Sequence, residues 1–211
     1  MWVQIAGITN LDEVLMIEKA GADSIGFVLE SHEGMTKEYA KEIISKMENL
    51  GRSVLITYLN TAKEVKQVME YLGLKYVQLH AKTEISEILE MRKSMPWLKI
   101  VKSVNVKGME SIEEAKEYEE HVDYILLDTQ DPETGKLGAT GKTHDWDISR
   151  KIVKKVEVPV ILAGGLNPDN IEEAIKKTKP FGVDVHTGVE GEDGLKSEEK
   201  VKLFIERAKG V

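Results

Sequence analysis

The chain has 211 residues, no cysteine, and 29 Lys plus Arg against 37 Asp plus Glu, for a formal net charge of −8. An acidic chain without a basic block argues against nucleic-acid and anionic-membrane partners, and the missing thiol excludes disulfides, thiolate catalysis and Cys-ligated zinc. No apolar run approaches the roughly 20 residues of a membrane helix, and no leader precedes the first apolar segment, so one cytoplasmic domain over residues 1–211 is expected. The abundance of Lys and Glu resembles that of heat-adapted chains.

Short apolar runs alternate with longer stretches of helical period. In chain order, strands are expected at Trp2–Ala6, Ser24–Leu29, Ser53–Tyr58, Tyr76–His80, Lys99–Ser103, Tyr124–Thr129, Pro159–Ala163 and Gly182–Thr187. Helices are expected between and after them, at Leu11–Ala20, Thr36–Asn49, Thr61–Leu72, Thr83–Met95, Met109–Glu120, Asp147–Val156, Pro168–Thr178 and Ser197–Lys209. Val65, Val68, Met69 and Leu72 share one helical face, and Tyr124–Leu127 is nearly continuous in apolar residues, as in strands covered on both sides. Asn10, Thr36, Thr61, Thr83, Ser111, Asn167 and Ser197 stand where N-caps belong, and Gly21, Gly73 and Gly182 where helices should end. Eight such units in about 200 residues fit an α/β fold of the (β/α)8 TIM-barrel type better than an open doubly wound sheet, whose glycine fingerprint is missing after the first strand.

In such a barrel the chemistry lies where strands end, with phosphate favoured after the last two strands. Gly164 and Gly165 follow the seventh strand, and Thr187 and Gly188 follow the eighth. Paired glycines admit an anion to the backbone, so these four residues are expected to bind phosphate, although Gly164-Gly165 alone would also suit a plain tight turn. Gly141-Lys142-Thr143 lacks the first glycine of a nucleotide loop, and the long segment after the sixth strand is expected to act as a lid. Asp128 closes an apolar strand, where burial would favour its protonated form, though a turn-forming role is also open. His80, His144 and His186 fall at one end of the barrel without metal-ligand spacing.

Taken together, these segments resemble the phosphoribosylanthranilate isomerase family over essentially the whole chain. The likeness rests on Gly7-Ile8-Thr9-Asn10-Leu11, Gln78-Leu79-His80, Leu126-Leu127-Asp128-Thr129, Gly141-Lys142-Thr143-His144-Asp145-Trp146, Ala163-Gly164-Gly165-Leu166-Asn167-Pro168, Gly182-Val183-Asp184-Val185 and Gly188-Val189-Glu190. The resemblance implies an Amadori rearrangement of a phosphorylated aminoaldose, without a cofactor. It also implies Asp128 as general acid and substrate contacts from Gln78, His80, Gly141 and His144.

Departures from the family pattern fall on the chemistry. Where the family reads Val-Lys-Ile-Cys-Gly-Ile-Thr, with Cys as base, this chain has Val3-Gln4-Ile5-Ala6-Gly7-Ile8-Thr9. Where the family places an Arg for the anthranilate carboxylate, it has Glu33. His186 and Thr187 replace two serines, and His144 a phenylalanine. In a closed barrel the eighth strand lies beside the first, so His186 is expected to substitute for the lost base. Losing a positioned base costs about 10²–10⁴-fold in rate, so slow turnover of phosphoribosylanthranilate itself is expected. The leading expectation is therefore an aldose–ketose isomerase, of intramolecular oxidoreductase type, acting on a phosphorylated small molecule, with homodimer formation left open. Two other readings stand beside it: a non-catalytic barrel that binds a phosphorylated metabolite, and a metal-dependent phosphosugar epimerase or aldolase using His80, His144 and His186.

Overall fold

A computed structural model describes residues 1–29, 35–47, 49, 51, 53–129 and 143–211. Eight parallel strands close into a barrel in sequence order. They are β1 (Trp2–Ala6), β2 (Ser24–Leu29), β3 (Ser53–Thr57), β4 (Tyr76–Leu79), β5 (Lys99–Asn105), β6 (Tyr124–Asp128), β7 (Val160–Leu162) and β8 (Gly182–Val185). The helices that follow them are α1 (Leu11–Ala20), α2 (Lys37–Ile44), α3 (Ala62–Leu72), α4 (Ile85–Ser94), α5 (Glu110–Glu119), α6 (Trp146–Lys155), α7 (Ile171–Thr178) and α8 (Glu198–Lys209). Closure comes from β1 against β8, with Gln4 opposite Asp184 and Ile5 opposite Val185.

Alternation along each strand divides the core. Outward side chains such as Ile5, Phe27, Leu55, Val77 and Leu127 are buried against the helices in one continuous apolar layer. Inward side chains form two small apolar groups, Val101, Leu126, Ile161 and Ala163 in one and Ala6, Val54 and Ile56 in the other. Among the remaining inward positions are the buried polar residues Gln4, Ser24, Gln78, Ser103 and Asp184.

Several element ends differ from expectation for local reasons. Asn10, Thr36, Thr61 and Ser197 cap their helices through side-chain oxygens. Thr83 instead bonds the Ala81 carbonyl, and Ser111 accepts from the Lys107 N–H, so neither is an N-cap. Asn167 accepts from the N–H groups of Asp169 and Asn170, which makes a turn before α7 and starts that helix later than expected. Gly21 and Gly73 end helices with left-handed backbones, whereas Lys179 does so for α7. Gly182 opens β8 because a Cβ there would run into Trp2.

Candidate active site

Asp128 is the last residue of β6 and is 5% exposed. Burial pushes its carboxyl up to about 6, against the opposing pull of the Thr129 N–H, which donates to Oδ1 at 2.7 Å. His80, directly after β4, places Nδ1 3.9 Å from Asp128 Oδ2, and the Tyr58 ring lies 5.6 Å from its own. Burial lowers the His80 imidazole to about 3, with help from the charges of Lys102 and His186, so it is neutral near pH 7.

The inward polar side chains settle which tautomer His80 adopts. Ser24 Oγ donates to Gln4 Oε1, and the Gln4 amide then donates to Gln78 Oε1 at 2.8 Å. With its oxygen so engaged, Gln78 turns its NH₂ toward His80 Nε2 at 2.8 Å. Nε2 must therefore accept, and the His80 proton sits on Nδ1, facing Asp128. The Gln78 amide also lies 3.5 Å from Asp184 Oδ2. Asp184 is pushed up to about 7, first by burial and then by the charge of Asp128, although hydrogen bonds from Gln4 and Gln78 and the charge of Lys196 oppose this.

Across the mouth, Ala6 ends β1 with its side chain buried against Val54 and Ile56, and it offers no proton acceptor. Gly7 follows with φ 69°, and a Cβ there would fall inside the His186 imidazole. The ring of His186 thus occupies the space above the end of β1, as expected from closure of the barrel. Its Nε2 is 3.5 Å from Glu190 Oε1.

The loops after β7 and β8 press against each other and against β6. Gly164 (φ 76°) has no room for a Cβ because Thr129 fills that space, and Gly188 is held against the Leu166 carbonyl. Gly165 (φ 64°) accepts from the Asn170 side chain through its carbonyl, and Thr187 opens a single 3-10 turn, Thr187–Val189. Close packing accounts for Gly164 and Gly188 by itself, so the phosphate assignment depends on where these loops lie at the mouth.

Gln78 and His144, expected as substrate contacts, both make hydrogen bonds within the protein. Gln78 is 1% exposed, with both ends of its amide engaged inside the barrel. His144 bridges Thr129 Oγ1 at 3.0 Å and Ser149 Oγ at 2.6 Å, and burial lowers its imidazole to about 4. Gln78 thus contacts His80, and His144 contacts Thr129, the residue after Asp128. Glu33, Gly141 and the lid expected after β6 lie outside the described residues. Sequence reasoning gave no role to Tyr58, Asp184, Glu190 or Lys196, although Asp184 and Glu190 lay within motifs that carried the resemblance. Among the described residues no three His, Asp or Glu side chains gather as a metal site, so His80, His144 and His186 form no ligand set.

The family model for N-(5'-phosphoribosyl)anthranilate isomerase matches residues 3–207. N-(5'-phosphoribosyl)anthranilate isomerase 2 of Methanosarcina mazei is 40% identical, across 99% of this chain and 94% of that protein. The crystal structure of phosphoribosylanthranilate isomerase from Thermotoga maritima matches with a TM-score of 0.87 at 34% identity, covering 100% of both chains. Monomers generated from the dimeric isomerase of that organism match with a TM-score of 0.85 at 31% identity, again over 100% of both. The barrel, the order of the motifs along it and these likenesses agree, and the chain belongs to the N-(5'-phosphoribosyl)anthranilate isomerase family.

Proposed function

We propose that this chain isomerises a phosphorylated aminoaldose to the aminoketose, with Asp128 as acid and His186 as base. N-(5'-phosphoribosyl)anthranilate is the first substrate to test. The protonated Asp128 carboxyl gives its proton to the ring oxygen, the C1–O bond breaks, and the nitrogen lone pair forms a C1=N iminium. His186 then removes the proton from C2, and that electron pair flows through C1 to neutralise nitrogen. The resulting enolamine tautomerises to the ketone. C2 is oxidised and C1 reduced within one molecule, so no cofactor enters the balance.

Gly164, Gly165, Thr187 and Gly188 receive the phosphate in this reading, and His80 Nδ1–H steadies the Asp128 carboxylate once its proton has left. The dimeric Thermotoga maritima relative is the reason to include a homodimer. No helix among the described residues is long and apolar enough to cross a membrane, which is compatible with a cytoplasmic enzyme.

One observation carries the proposal: a buried acid poised at about 6 on β6 faces a mouth where an imidazole has taken the space above β1. The test is consumption of N-(5'-phosphoribosyl)anthranilate by the purified wild type and by His186→Asn. Slow wild-type turnover is expected, with kcat about 10²-fold lower in the variant and KM within threefold, because a base acts in the transition state. Wild-type kcat in His186→Asn removes the base assignment. No turnover by the wild type overturns this choice of substrate.

A further inference from the structure

The segment that follows β8 folds back over its own beginning. Glu190 follows the 3-10 turn, and its Oε1 meets both the Lys196 ammonium at 2.7 Å and His186 Nε2 at 3.5 Å. The Lys196 side chain is completely buried, and its ammonium also donates to the His186 carbonyl at 3.0 Å. The Lys196 backbone N–H donates to Glu13 Oε1 at 2.6 Å, while Glu13 Oε2 accepts from the N–H of Thr9 at 2.5 Å and from its hydroxyl at 2.9 Å. A continuous polar chain therefore runs from the loop after β1, through the first turn of α1, to the carboxylate beside His186.

We propose that Glu190, anchored by Lys196, is a positioning residue that holds the His186 imidazole over Gly7 in a single tautomer. The inference rests on the base role given to His186 above and adds a residue to it. A carboxylate 3.5 Å from Nε2 favours the proton on that nitrogen, which leaves the basic lone pair of the neutral ring on Nδ1. Lys196 takes up most of the carboxylate's charge, so Glu190 orients the ring more than it charges it. Glu13 fixes the loop that carries Gly7 relative to the loop that carries His186. The seat and the ring thus come from the two strands that close the barrel, and the polar chain keeps them in register.

The test combines kinetics with ¹⁵N chemical shifts of the His186 ring, assigned by comparison with His186→Asn, in the wild type, Glu190→Gln and Glu190→Ala. Removing the carboxylate leaves a buried ammonium without its partner, so Glu190→Ala is also made together with Lys196→Met, which restores an uncharged interior. The wild type is expected to show one tautomer, with the proton on Nε2, and Glu190→Gln to retain it through the amide oxygen. The Glu190→Ala/Lys196→Met variant is expected to show a mixture of tautomers and a kcat about tenfold lower, with KM within twofold. Adding His186→Asn to it should then cost no more than His186→Asn alone. A single, unchanged tautomer and wild-type kcat in the folded double variant overturn the proposal. Because ring shifts need no turnover, a Glu190-dependent tautomer with wild-type kcat in His186→Asn would count against the base assignment alone.

Discussion

The two halves of the barrel mouth are built on opposite principles. On the β6 side, Asp128 is 5% exposed, and its neighbour Thr129 is tied to His144 and wedged against Gly164. On the β1 and β8 side, Ala6 and Gly7 contribute little bulk, and the His186 side chain is 35% exposed beside the Glu190–Lys196 pair. Burial pushes the acid's carboxyl up toward neutral pH, because a dry site penalises the carboxylate. The imidazole stands in a different setting, partly exposed at the mouth beside a charged pair. A half whose chemistry depends on burial cannot change one residue at a time, whereas a half built from small residues can exchange a thiol on one strand for an imidazole on the next. On the proposed assignment, this accounts for an acid that keeps the family's position and a base that does not.

The strongest way to break this contrast is Asp128→Asn. The amide keeps the shape and the Thr129 contact but has no proton to give, so kcat should fall by about 10³-fold, within the range of a lost general acid. Removing a buried ionisable group should also leave the melting temperature at pH 8 unchanged or raised. A small loss of kcat together with a fall in stability would make Asp128 a structural residue and leave the acid unidentified.

A smaller effect is expected from the seat of the base. Gly7→Ala places a methyl in the His186 ring and forces an L-residue to φ 69°. The backbone cost is roughly 1–2 kcal/mol. The ring must move, so kcat should fall by about tenfold or more, while binding of inorganic phosphate at the β7 and β8 loops stays within twofold of the wild type. Equal losses of phosphate affinity and kcat would mean that the two halves are not separable in the way the contrast requires.

Most of the fold was legible because its signals are local. Period-2 and period-3.6 patterns, the capping residues Asn10, Thr61 and Ser197, and the left-handed glycines at 21 and 73 each act within a few residues of themselves. Placing His186 at the end of β1 required only that the barrel close. The less legible features depend on contacts distant in sequence. The hydrogen bond between Gln4 and Gln78, 74 positions apart, has no local signal. Lys196 carries no sequence signal, yet its backbone is held by Glu13, 183 positions away. Gly182 reads as a helix cap until Trp2 is found beside it. None of these pairs leaves a trace in either neighbour's local pattern.

The subtlest test concerns Asp184, which lies on the same strand that leads to His186 but obeys the rule of the buried half. Native Asp184 keeps its proton up to about pH 7, whereas an unfolded chain releases it near 3.8. Between those values the native state binds more protons than the unfolded state, so stability falls as pH rises. The contribution of this group is fully present below about pH 4 and is lost as pH climbs through about 7. His80 acts in the opposite direction: its lowered pKa gives a contribution present above about 6.5 and lost as pH falls toward 3. That term is common to the wild type and to Asp184→Asn, so it cancels in their difference. Asn cannot ionise and retains an oxygen for the Gln78 amide. The melting temperature of Asp184→Asn relative to wild type should therefore increase between pH 4 and about 7 and level off above it, because beyond the folded pKa the group is ionised in both states and adds no further pH dependence. Thermal melts at pH 4, 5.5, 7 and 8.5 read this directly. Parallel curves across that range would show that Asp184 is ionised in the native state, which would extend the charge-pair principle of the base half into the barrel interior.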